Sequence, residues 1–263
     1  MGLSRKAWIT AQLLERGSVA ISDVIDAFGV SRMTVHRDLD ELAAEGLARK
    51  VRGGATVLPS TLYESDARFR LAQHQPAKEA LCAKTAQWLE PGAAVLFDES
   101  TTTLPLLEHL KDIGPCTVLS NFRATLNRLA SDDFSDVDVL ALGGRYHRRF
   151  DSFTGPLCAA QLAGVHADVY VTSTTAVIDG AGWHPDADIA AVKRAMLDAA
   201  DLRLLLVDRS KLGRRALHRV ASLRSFDGVI VEAGTPTETV DRLDAVGVAV
   251  HLAPGPTDEE NVT

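Results

Sequence analysis

The stretch VSRMTVHRDLDELAAEGLARKVRGGA spans residues 30–55. It joins a polar cluster, a run of apolar residues at helical spacing and a basic segment that ends in two glycines. Val35, Leu39 and Leu42 fall on a narrow arc at 3.6 residues per turn, and Met33 and Arg37 lie on the far side. The pattern predicts a helix with one buried stripe and a polar surface near its N-terminus.

Two shorter helical segments precede this one. Ser4 is placed to cap a first helix that Gly17 ends, and Ser22 is placed to cap a short second helix. After a tight turn, Ser31 caps the third helix, which is expected to run to about Glu45. This is the layout of a helix-turn-helix, whose second helix enters the major groove of DNA with its N-terminus first.

The segment after the third helix predicts a hairpin, because two short β-prone runs flank Gly53-Gly54. Such a wing is suited to holding the phosphate backbone of DNA. A plain interaction module is the alternative, and the acidic residues Asp38, Asp40 and Glu41 count against a strongly basic surface. The predicted DNA-binding residues are Ser31, Arg32, Met33, Thr34, His36, Arg37, Arg49, Lys50 and Arg52.

The charge of the chain is unevenly distributed. The 263 residues carry a net charge of -7, but residues 1–60 carry +1 and the remainder carries -8. An overall basic nucleic-acid binder is therefore excluded, whereas a local basic patch is not. Three cysteines without a CxxC pair argue against a disulfide scaffold or a zinc ribbon and favour a reducing cytoplasm. No apolar run approaches the ~18 residues of a membrane span.

The quoted stretch resembles the characteristic motif of the DeoR family of bacterial transcriptional regulators: Val-Ser, two variable residues, Thr, a β-branched residue, Arg-Arg-Asp-Leu, an apolar helix, Gly-Leu and a basic wing ending Gly-Gly-Ala. His36 stands where the family has the first Arg of the pair, which makes that contact with DNA pH-dependent. Later segments resemble family blocks in the expected order: FDESTTT (97–103), SNFRATLNRLA (120–130), LALGGRY (140–146), FTGPLCAAQL (153–162), AAVKRAML (190–197) and LLVDRSKLGRRAL (205–217).

The resemblance covers roughly residues 4–233. It implies a winged helix-turn-helix joined to a sugar-phosphate sensor of the ribose-5-phosphate-isomerase-like type. No cofactor and no metal are expected; His184, Asp186 and Asp188 are close in sequence but match no known spacing of metal ligands. The expected divisions are a DNA-binding domain at 1–58, a linker at 59–76, a sensor at 77–253 and a disordered tail at 254–263.

The sensor segment also has a recognisable pattern of its own. Near-continuous apolar strands alternate with helical segments, which predicts an α/β fold with a parallel sheet covered on both faces. Ligands of such sheets bind beyond the carboxyl ends of the strands. The charged run at 145–152 is expected to be a solvated loop, with contact to an effector as the alternative.

The residues at those strand ends suit an anionic, hydroxylated ligand. Asp98 closes the first strand, and Ser100 to Thr103 are expected to open the next helix as a phosphate seat. An ordinary Thr-rich helix cap is the alternative. Glu99-Ser100 replaces Ser-Gly of the family and adds negative charge beside the expected phosphate. The predicted effector-binding residues are Asp98, Ser100, Thr101, Thr102, Asn121, Gly144, Asp179, Lys193, Asp208 and Lys211.

The sequence therefore predicts a transcriptional regulator that binds operator DNA as a homo-oligomer, a dimer or a tetramer. Repression of a carbohydrate-metabolism operon, relieved by a phosphorylated sugar, is the expected activity. An enzyme of the sugar-phosphate isomerase class is the alternative, although no paired acid and base stand out. A regulator whose effector is not a sugar phosphate is the third possibility, because of the altered Glu99-Ser100 loop. For Lys211, an ion pair with Asp208 is an alternative to ligand binding.

Overall fold

A computed structural model of the chain describes residues 4–44, 48–57 and 67–255. The chain divides into two compact units, residues 1–65 and residues 66–263. The expected end of the third helix at Glu45, residues 59–66 of the expected linker and residues 256–263 of the expected tail lie outside the described residues. Residues 67–76 of the expected linker belong to the second unit.

The first unit is a three-helix bundle with a small antiparallel sheet of strand order β1-β3-β2. Its elements are α1 (Arg5–Arg16), β1 (Ser18–Ala20), α2 (Ile21–Phe28), α3 (Arg32–Ala44), β2 (Ala48–Val51) and β3 (Gly54–Val57). Ile9, Val24, Val35 and Leu39 are fully buried in its core. The winged helix-turn-helix is thus confirmed, with the Ser31 hydroxyl accepting from the amide of Thr34 at 3.2 Å as the cap of α3.

The start of the second helix differs from the prediction. α2 begins at Ile21 directly after β1, so Ser22 lies inside its first turn and is not its cap. The difference is due to β1, which pairs with β3. This strand has only three residues and is too short to be predicted from the sequence pattern. At Gly54 a Cβ atom would lie 2.1 Å from the carbonyl oxygen of Val19, so the close approach of these two strands requires glycine.

The second unit contains twelve strands and seven α-helices among its described residues. Its strands are β4 (Ala94–Phe97), β5 (Cys116–Ser120), β6 (Val137–Ala141), β7 (Arg145–His147), β8 (Ser152–Thr154), β9 (Ala167–Thr172), β10 (Ala176–Ile178), β11 (Ala181–His184), β12 (Ala200–Val207), β13 (His218–Ser222), β14 (Gly228–Val231) and β15 (Ala249–Leu252). Its helices are α4 (Ala67–Leu71), α5 (Gln75–Thr85), α6 (Leu106–Ile113), α7 (Arg123–Leu129), α8 (Pro156–Leu162), α9 (Ala187–Asp198) and α10 (Thr237–Asp244).

Seven of these strands form one parallel sheet, in the order β15-β14-β12-β9-β4-β5-β6. Along β4, Leu96 packs into the core on one face while Val95 and Phe97 pack into the core on the other. The predicted sheet, covered on both faces, is therefore confirmed. The chain moves outward from β4 to β6 and then returns to place β9 on the other side of β4. The switch point, where ligands of open α/β sheets bind, lies between β4 and β9.

Two segments that the sequence assigned to loops contain strands. Residues 145–154 form the hairpin β7-β8, so the expected loop is wrong, although Arg145 and Arg148 are exposed to solvent as expected. The segment before α9 forms β10 and β11, which join β13 in a second small sheet. These strands are three to five residues long, too short to show an alternating pattern. Over the described residues, no helix is long and apolar enough to span a membrane.

Candidate functional site

The predicted recognition surface lies on one side of α3. Ser31, Arg32, Met33 and Arg37 are exposed, and Met33 keeps 79% of its surface accessible. Thr34 and His36 are partly exposed, whereas Val35 and Leu39 are buried on the opposite side. Because Met33 and Arg37 are four residues apart, their side chains lie on the same face of the helix. The predicted recognition residues of α3 are therefore at least partly accessible to solvent.

Asp38 is part of the bundle and not of this surface. Its carboxylate accepts two hydrogen bonds from Arg5, from Nε to Oδ2 at 2.5 Å and from Nη2 to Oδ1 at 3.2 Å. The hydrogen bond to Asp38 raises the pKa of the Arg5 guanidinium. Asp38 therefore ties α3 to α1, and its negative charge does not oppose DNA at the helix face.

Replacing Asp38 with alanine is expected to destabilise the first unit by about 1–3 kcal/mol, because Arg5 loses two charge-assisted hydrogen bonds at a largely buried position. Hydrogen exchange of the α3 amides checks the expectation. Asp40→Ala is the matched control, since Asp40 pairs with the exposed Lys50 at 2.6 Å, and a surface pair of this type contributes at most about 1 kcal/mol. Equal effects of the two substitutions would contradict this role of Asp38.

The wing presents basic side chains to solvent. Arg49, Lys50 and Arg52 are all exposed on β2 and the turn that follows it, and Gly53 in that turn has φ 85°. Lys50 donates to Asp40 on α3, which offsets part of its charge. Arg49 and Arg52 therefore supply most of the net positive charge of the wing.

In the second unit, the carboxyl ends of β4 and β9 meet at a buried carboxylate. Oδ2 of Asp98 accepts from Nζ of Lys193 at 2.6 Å, from the hydroxyl of Tyr170 at 2.6 Å and from the hydroxyl of Thr172. Its Oδ1 accepts from the amide of Ser100 at 3.0 Å. Burial alone would raise the pKa of Asp98, but the Lys193 ammonium and these hydrogen bonds outweigh it and hold that pKa below its ordinary value.

Lys193 lies on α9 and is only 1% exposed. Besides Asp98, its ammonium contacts Oε1 of Glu99 at 2.9 Å, the carbonyl oxygen of Ser173 at 2.9 Å and the hydroxyl of Ser100 at 3.2 Å. Burial lowers the pKa of Lys193, yet the two carboxylates together raise it above its ordinary value. Because an ammonium has three N–H groups, Lys193 is committed to the protein and compensates the carboxylates.

Buried acceptor atoms at this edge without a hydrogen-bond partner among the described residues include Oε2 of Glu99 and Oδ1 of Asn121. Glu99 is 2% exposed, and Nε2 of His184 lies 3.9 Å from its Oε1. Burial raises the pKa of Glu99 even though Lys193 lowers it. Asn121 donates through Nδ2 to the carbonyl oxygen of Phe153 at 2.7 Å. Both open atoms can accept hydrogen bonds from a ligand.

The Thr-rich segment lies in a loop of consecutive turns and does not open α6. Residues 98–105 lead to a helix that begins at Leu106, where the prediction had Ser100 to Thr103 in its first turn. Pro105 explains the difference, because a proline disfavours helical backbone at the residue before it. The hydroxyl of Thr103 donates to the carbonyl oxygen of Ser100 at 2.9 Å and closes one of these turns. Any anion seat here consists of loop amides and side chains, without a helix N-terminus.

Lys211 connects this loop to the ends of β9 and β12. Its Nζ lies 2.5 Å from the hydroxyl oxygen of Thr102, 2.6 Å from that of Ser173 and 3.0 Å from Oδ2 of Asp208. Burial would raise the pKa of Asp208, but Lys211 and Ser210 bring it down to about 2. The ion pair considered for Lys211 is therefore present, and it holds the ammonium beside two hydroxyls.

Lys78 on α5 is a second cation at this loop, and it was not among the residues predicted from the sequence. Its Nζ donates to the hydroxyl of Thr101 at 3.3 Å and to the carbonyl oxygen of Arg70 at 2.5 Å. Burial, reinforced by repulsion from Lys211, lowers its pKa to about 7. Because Thr101 and Thr102 are adjacent in the chain, the two ammonium groups that contact them lie in one small region. A phosphate bound there would meet two cations and two threonine hydroxyls.

The sequence did contain a signal for Lys78. Lys78, Leu81 and Thr85 are three and seven residues apart, and all three are buried on the inner face of α5. A lysine in the apolar stripe of an amphipathic helix is an anomaly that suggests a paired or functional side chain.

Two predicted ligand residues have a different role or position. At Gly144 a Cβ atom would lie 2.7 Å from the carbonyl oxygen of Thr154 and 3.0 Å from Cβ of Cys158, so close packing alone accounts for this glycine. Asp179 is exposed in the turn between β10 and β11, with φ 52°. Within the described residues, no hydrogen bond or ion pair joins Asp179 to Asp98 or its partners.

The residues considered for a metal are used otherwise. Asp186 caps α9 by accepting from the amide of Ile189 at 3.0 Å, and Nδ1 of His184 accepts from the amide of Asp186 at 3.1 Å. Asp188 pairs with Arg145 of the β7-β8 hairpin. No group of three or more His, Cys, Asp or Glu side chains that could hold a metal is found in the described part of the chain.

Comparison with known proteins matches both units to one family. Residues 5–61 match the DeoR-like helix-turn-helix domain, and residues 73–233 match the DeoR C terminal sensor domain. The L-fucose operon activator of Haemophilus influenzae is 27% identical, over 87% of this chain and 90% of its own. The transcriptional regulator IolR of Bacillus subtilis is 25% identical, over 96% and 100%. A protein of Escherichia coli O157:H7, provisionally named an aga operon transcriptional repressor, is 27% identical, over 94% and 93%.

Solved structures show more distant similarity. A D-ribose-5-phosphate isomerase in complex with phospho-erythronic acid has a TM-score of 0.38 and 14% identity, over 52% of this chain and 54% of that one. The ribose 5-phosphate isomerase A of Methanocaldococcus jannaschii has a TM-score of 0.39 and 11% identity, over 54% and 56%. With both units matched to DeoR domains and relatives aligned over most of its length, the chain belongs to the DeoR family of transcriptional regulators.

Proposed function

We propose that this regulator controls an operon of carbohydrate metabolism and that a phosphorylated sugar or a related metabolite controls its binding to DNA. The observation that carries the proposal is the pair of lysines at the Thr-rich loop. Lys78 and Lys211 hold two ammonium groups beside the hydroxyls of Thr101 and Thr102, at the switch point of the sheet. Charge-assisted contacts to cations and hydroxyls are what a phosphate needs.

The names of the relatives support the operon class. One is named for an L-fucose operon as an activator, and another provisionally for an aga operon as a repressor. Both signs of control therefore occur among similar proteins, and we favour repression that the effector relieves. In that scheme the effector binds the conformation with low DNA affinity and shifts the population toward it.

For the DNA contact we propose that α3 lies in the major groove with Ser31, Arg32, Thr34, His36 and Arg37 toward the bases and the adjoining phosphates. Arg49, Lys50 and Arg52 of the wing then hold the backbone. One winged helix covers only one half-site, so we also infer a homo-oligomer in which two copies bind two half-sites.

Thermal unfolding against a panel of sugar phosphates and the corresponding free sugars tests the effector. A phosphorylated compound at 100 times its Kd is expected to stabilise the second unit by about 2.7 kcal/mol, because only the folded state binds it. The free sugar is expected to give no shift. Lys78→Met is expected to abolish most of the response, and Lys84→Met, a change at a lysine on the solvent side of α5, is the control.

The pH dependence of ligand affinity gives a further test. The pKa of Lys78 lies near 7 without ligand, and a bound phosphate raises it, so binding takes up a proton. Affinity is therefore expected to fall as the pH rises from 7 to 9, a range in which the phosphate charge is nearly constant. Lys78→Met is expected to flatten this dependence. A shift with free sugars equal to that with sugar phosphates would overturn the phosphate seat.

A further inference from the structure

The two ends of the strand-end site have opposite charge. At one end Asp98 and Glu99 together face the single ammonium of Lys193. At the other end Lys211 pairs with the carboxylate of Asp208, and the ammonium of Lys78 contacts the neighbouring Thr101. We propose that the effector carries a primary ammonium group as well as a phosphate, and that Glu99 binds this ammonium while Lys78 and Lys211 bind the phosphate. The phosphate half of this inference rests on the proposed function.

The first observation behind it is the open oxygen of Glu99. Oε1 is engaged by Lys193, whereas Oε2 has no partner among the described residues although the side chain is 2% exposed. A buried carboxylate oxygen without a donor is strongly disfavoured. Lys193 cannot reach a further acceptor, because its three N–H groups already serve Asp98, Glu99 and the hydroxyl and carbonyl groups around them.

The second observation is the open oxygen of Asn121. The orientation of its amide is determined, because its partner is the carbonyl oxygen of Phe153, which can only accept. Oδ1 is thus an acceptor, buried and without a partner among the described residues. Phe97 pairs with Ser120 in the sheet, so Asp98 and Asn121 leave neighbouring strands side by side. A ligand between them must bring hydrogen-bond donors.

An ammonium meets both needs at once. Its three N–H groups can serve Glu99 and Asn121, and its charge balances the second carboxylate. A hydroxyl supplies only one donor and no charge. Nε2 of His184 lies 3.9 Å from Oε1 of Glu99, within the range of an ion pair but beyond hydrogen-bond distance, so Oε2 remains open. The favoured ligand is therefore zwitterionic.

The spacing suits a small metabolite. Thr101 and Thr102, which contact Lys78 and Lys211, follow Glu99 by two and three residues on the same loop. Three residues of backbone span at most about 10 Å, so one small phosphorylated metabolite can reach both ends. The opposed charges would also orient such a molecule in one direction only.

Calorimetric titration of the full chain at pH 7.0 with matched pairs tests the inference. The pairs are glucosamine 6-phosphate with glucose 6-phosphate, galactosamine 6-phosphate with galactose 6-phosphate, and phosphoethanolamine with 2-hydroxyethyl phosphate; inorganic phosphate is titrated alone. We expect the amine to bind at least tenfold more tightly than the hydroxyl compound in at least one pair. Because both members of a pair carry the same phosphate, the ratio of their Kd values measures the contribution of the ammonium group alone.

Glu99→Gln is expected to bring that ratio to about one, since glutamine keeps the shape and loses the charge. Glu108→Gln, at an exposed glutamate of α6, is the matched control and is expected to leave the ratio unchanged. A wild-type ratio near or below one in every pair that binds overturns the inference and leaves the phosphate seat standing. An amine preference that survives Glu99→Gln overturns the assignment to Glu99. Absence of binding by all pairs and by inorganic phosphate overturns the proposed function as well.

Discussion

Replacing Arg37 with alanine is expected to reduce affinity for operator DNA by roughly 5- to 150-fold per half-site, the loss of one bidentate contact to a base. Arg37 is exposed on the same face of α3 as Met33, and an arginine there can reach the guanine edge in the major groove. A duplex selected from a random library by the wild-type protein provides the operator. Fluorescence anisotropy with this duplex and with a scrambled one measures both affinity and specificity.

Arg214→Ala is the matched control, because it removes an equally exposed guanidinium from the second unit. It is expected to leave operator affinity unchanged. A base contact predicts that Arg37→Ala mainly lowers the ratio of operator to scrambled binding. If both duplexes lose affinity equally, Arg37 contacts phosphate only. Normal binding by Arg37→Ala would show that α3 is not the recognition helix.

Replacing Lys193 with methionine is expected to destabilise the second unit by about 3–5 kcal/mol, the usual result of removing one partner from a buried ion pair. Asp98 and Glu99 would remain fully buried without their shared cation. The pKa values of both carboxyls in the folded variant would then rise above their unfolded values. The free energy of unfolding of the variant is therefore greatest at low pH, and it falls as the pH rises through the pKa values of the two carboxyls.

Urea denaturation at pH 5 and at pH 8 measures this effect, with the larger loss expected at pH 8. Lys111→Met is the control, since Lys111 is paired with Glu108 at 2.8 Å on the surface, and such a pair contributes at most about 1 kcal/mol. Adding Glu99→Gln to Lys193→Met is expected to restore part of the stability, because one buried negative charge disappears. No recovery in the double variant would mean that the charge of Glu99 is compensated by another group.

The pattern of apolar residues was sufficient for the architecture. Strands long enough to show a continuous apolar run, such as β4, β9 and β12, account for the predicted parallel sheet. Helix caps such as Ser31 were also predictable, because capping is a local interaction. The three-residue strands β1, β7 and β10 were not, since their sequences are too short to carry a repeat and they form only by pairing with β3, β8 and β11.

The site was predictable in its position but less so in its chemistry. That Asp98, Lys193 and Lys211 belong near the strand ends followed from the family resemblance and from the rule for parallel sheets. The pairing of Lys193 with two carboxylates could not be predicted, because Glu99 and Lys193 are 94 positions apart and only the fold brings them together. Lys78 was missed although it lies in the buried stripe of α5, because its partner Thr101 lies on another element.

The topological switch point between β4 and β9 also has a consequence for folding during synthesis on the ribosome. β4 can pair with β5 as soon as residue 120 has emerged, but its other edge stays open until β9 follows, some 70 residues after β4. Synthesis at 5–20 residues per second leaves that edge uncovered for roughly 4–14 seconds. An apolar strand with a free edge is prone to aggregation, so the centre of the finished sheet is the most vulnerable part of the nascent chain.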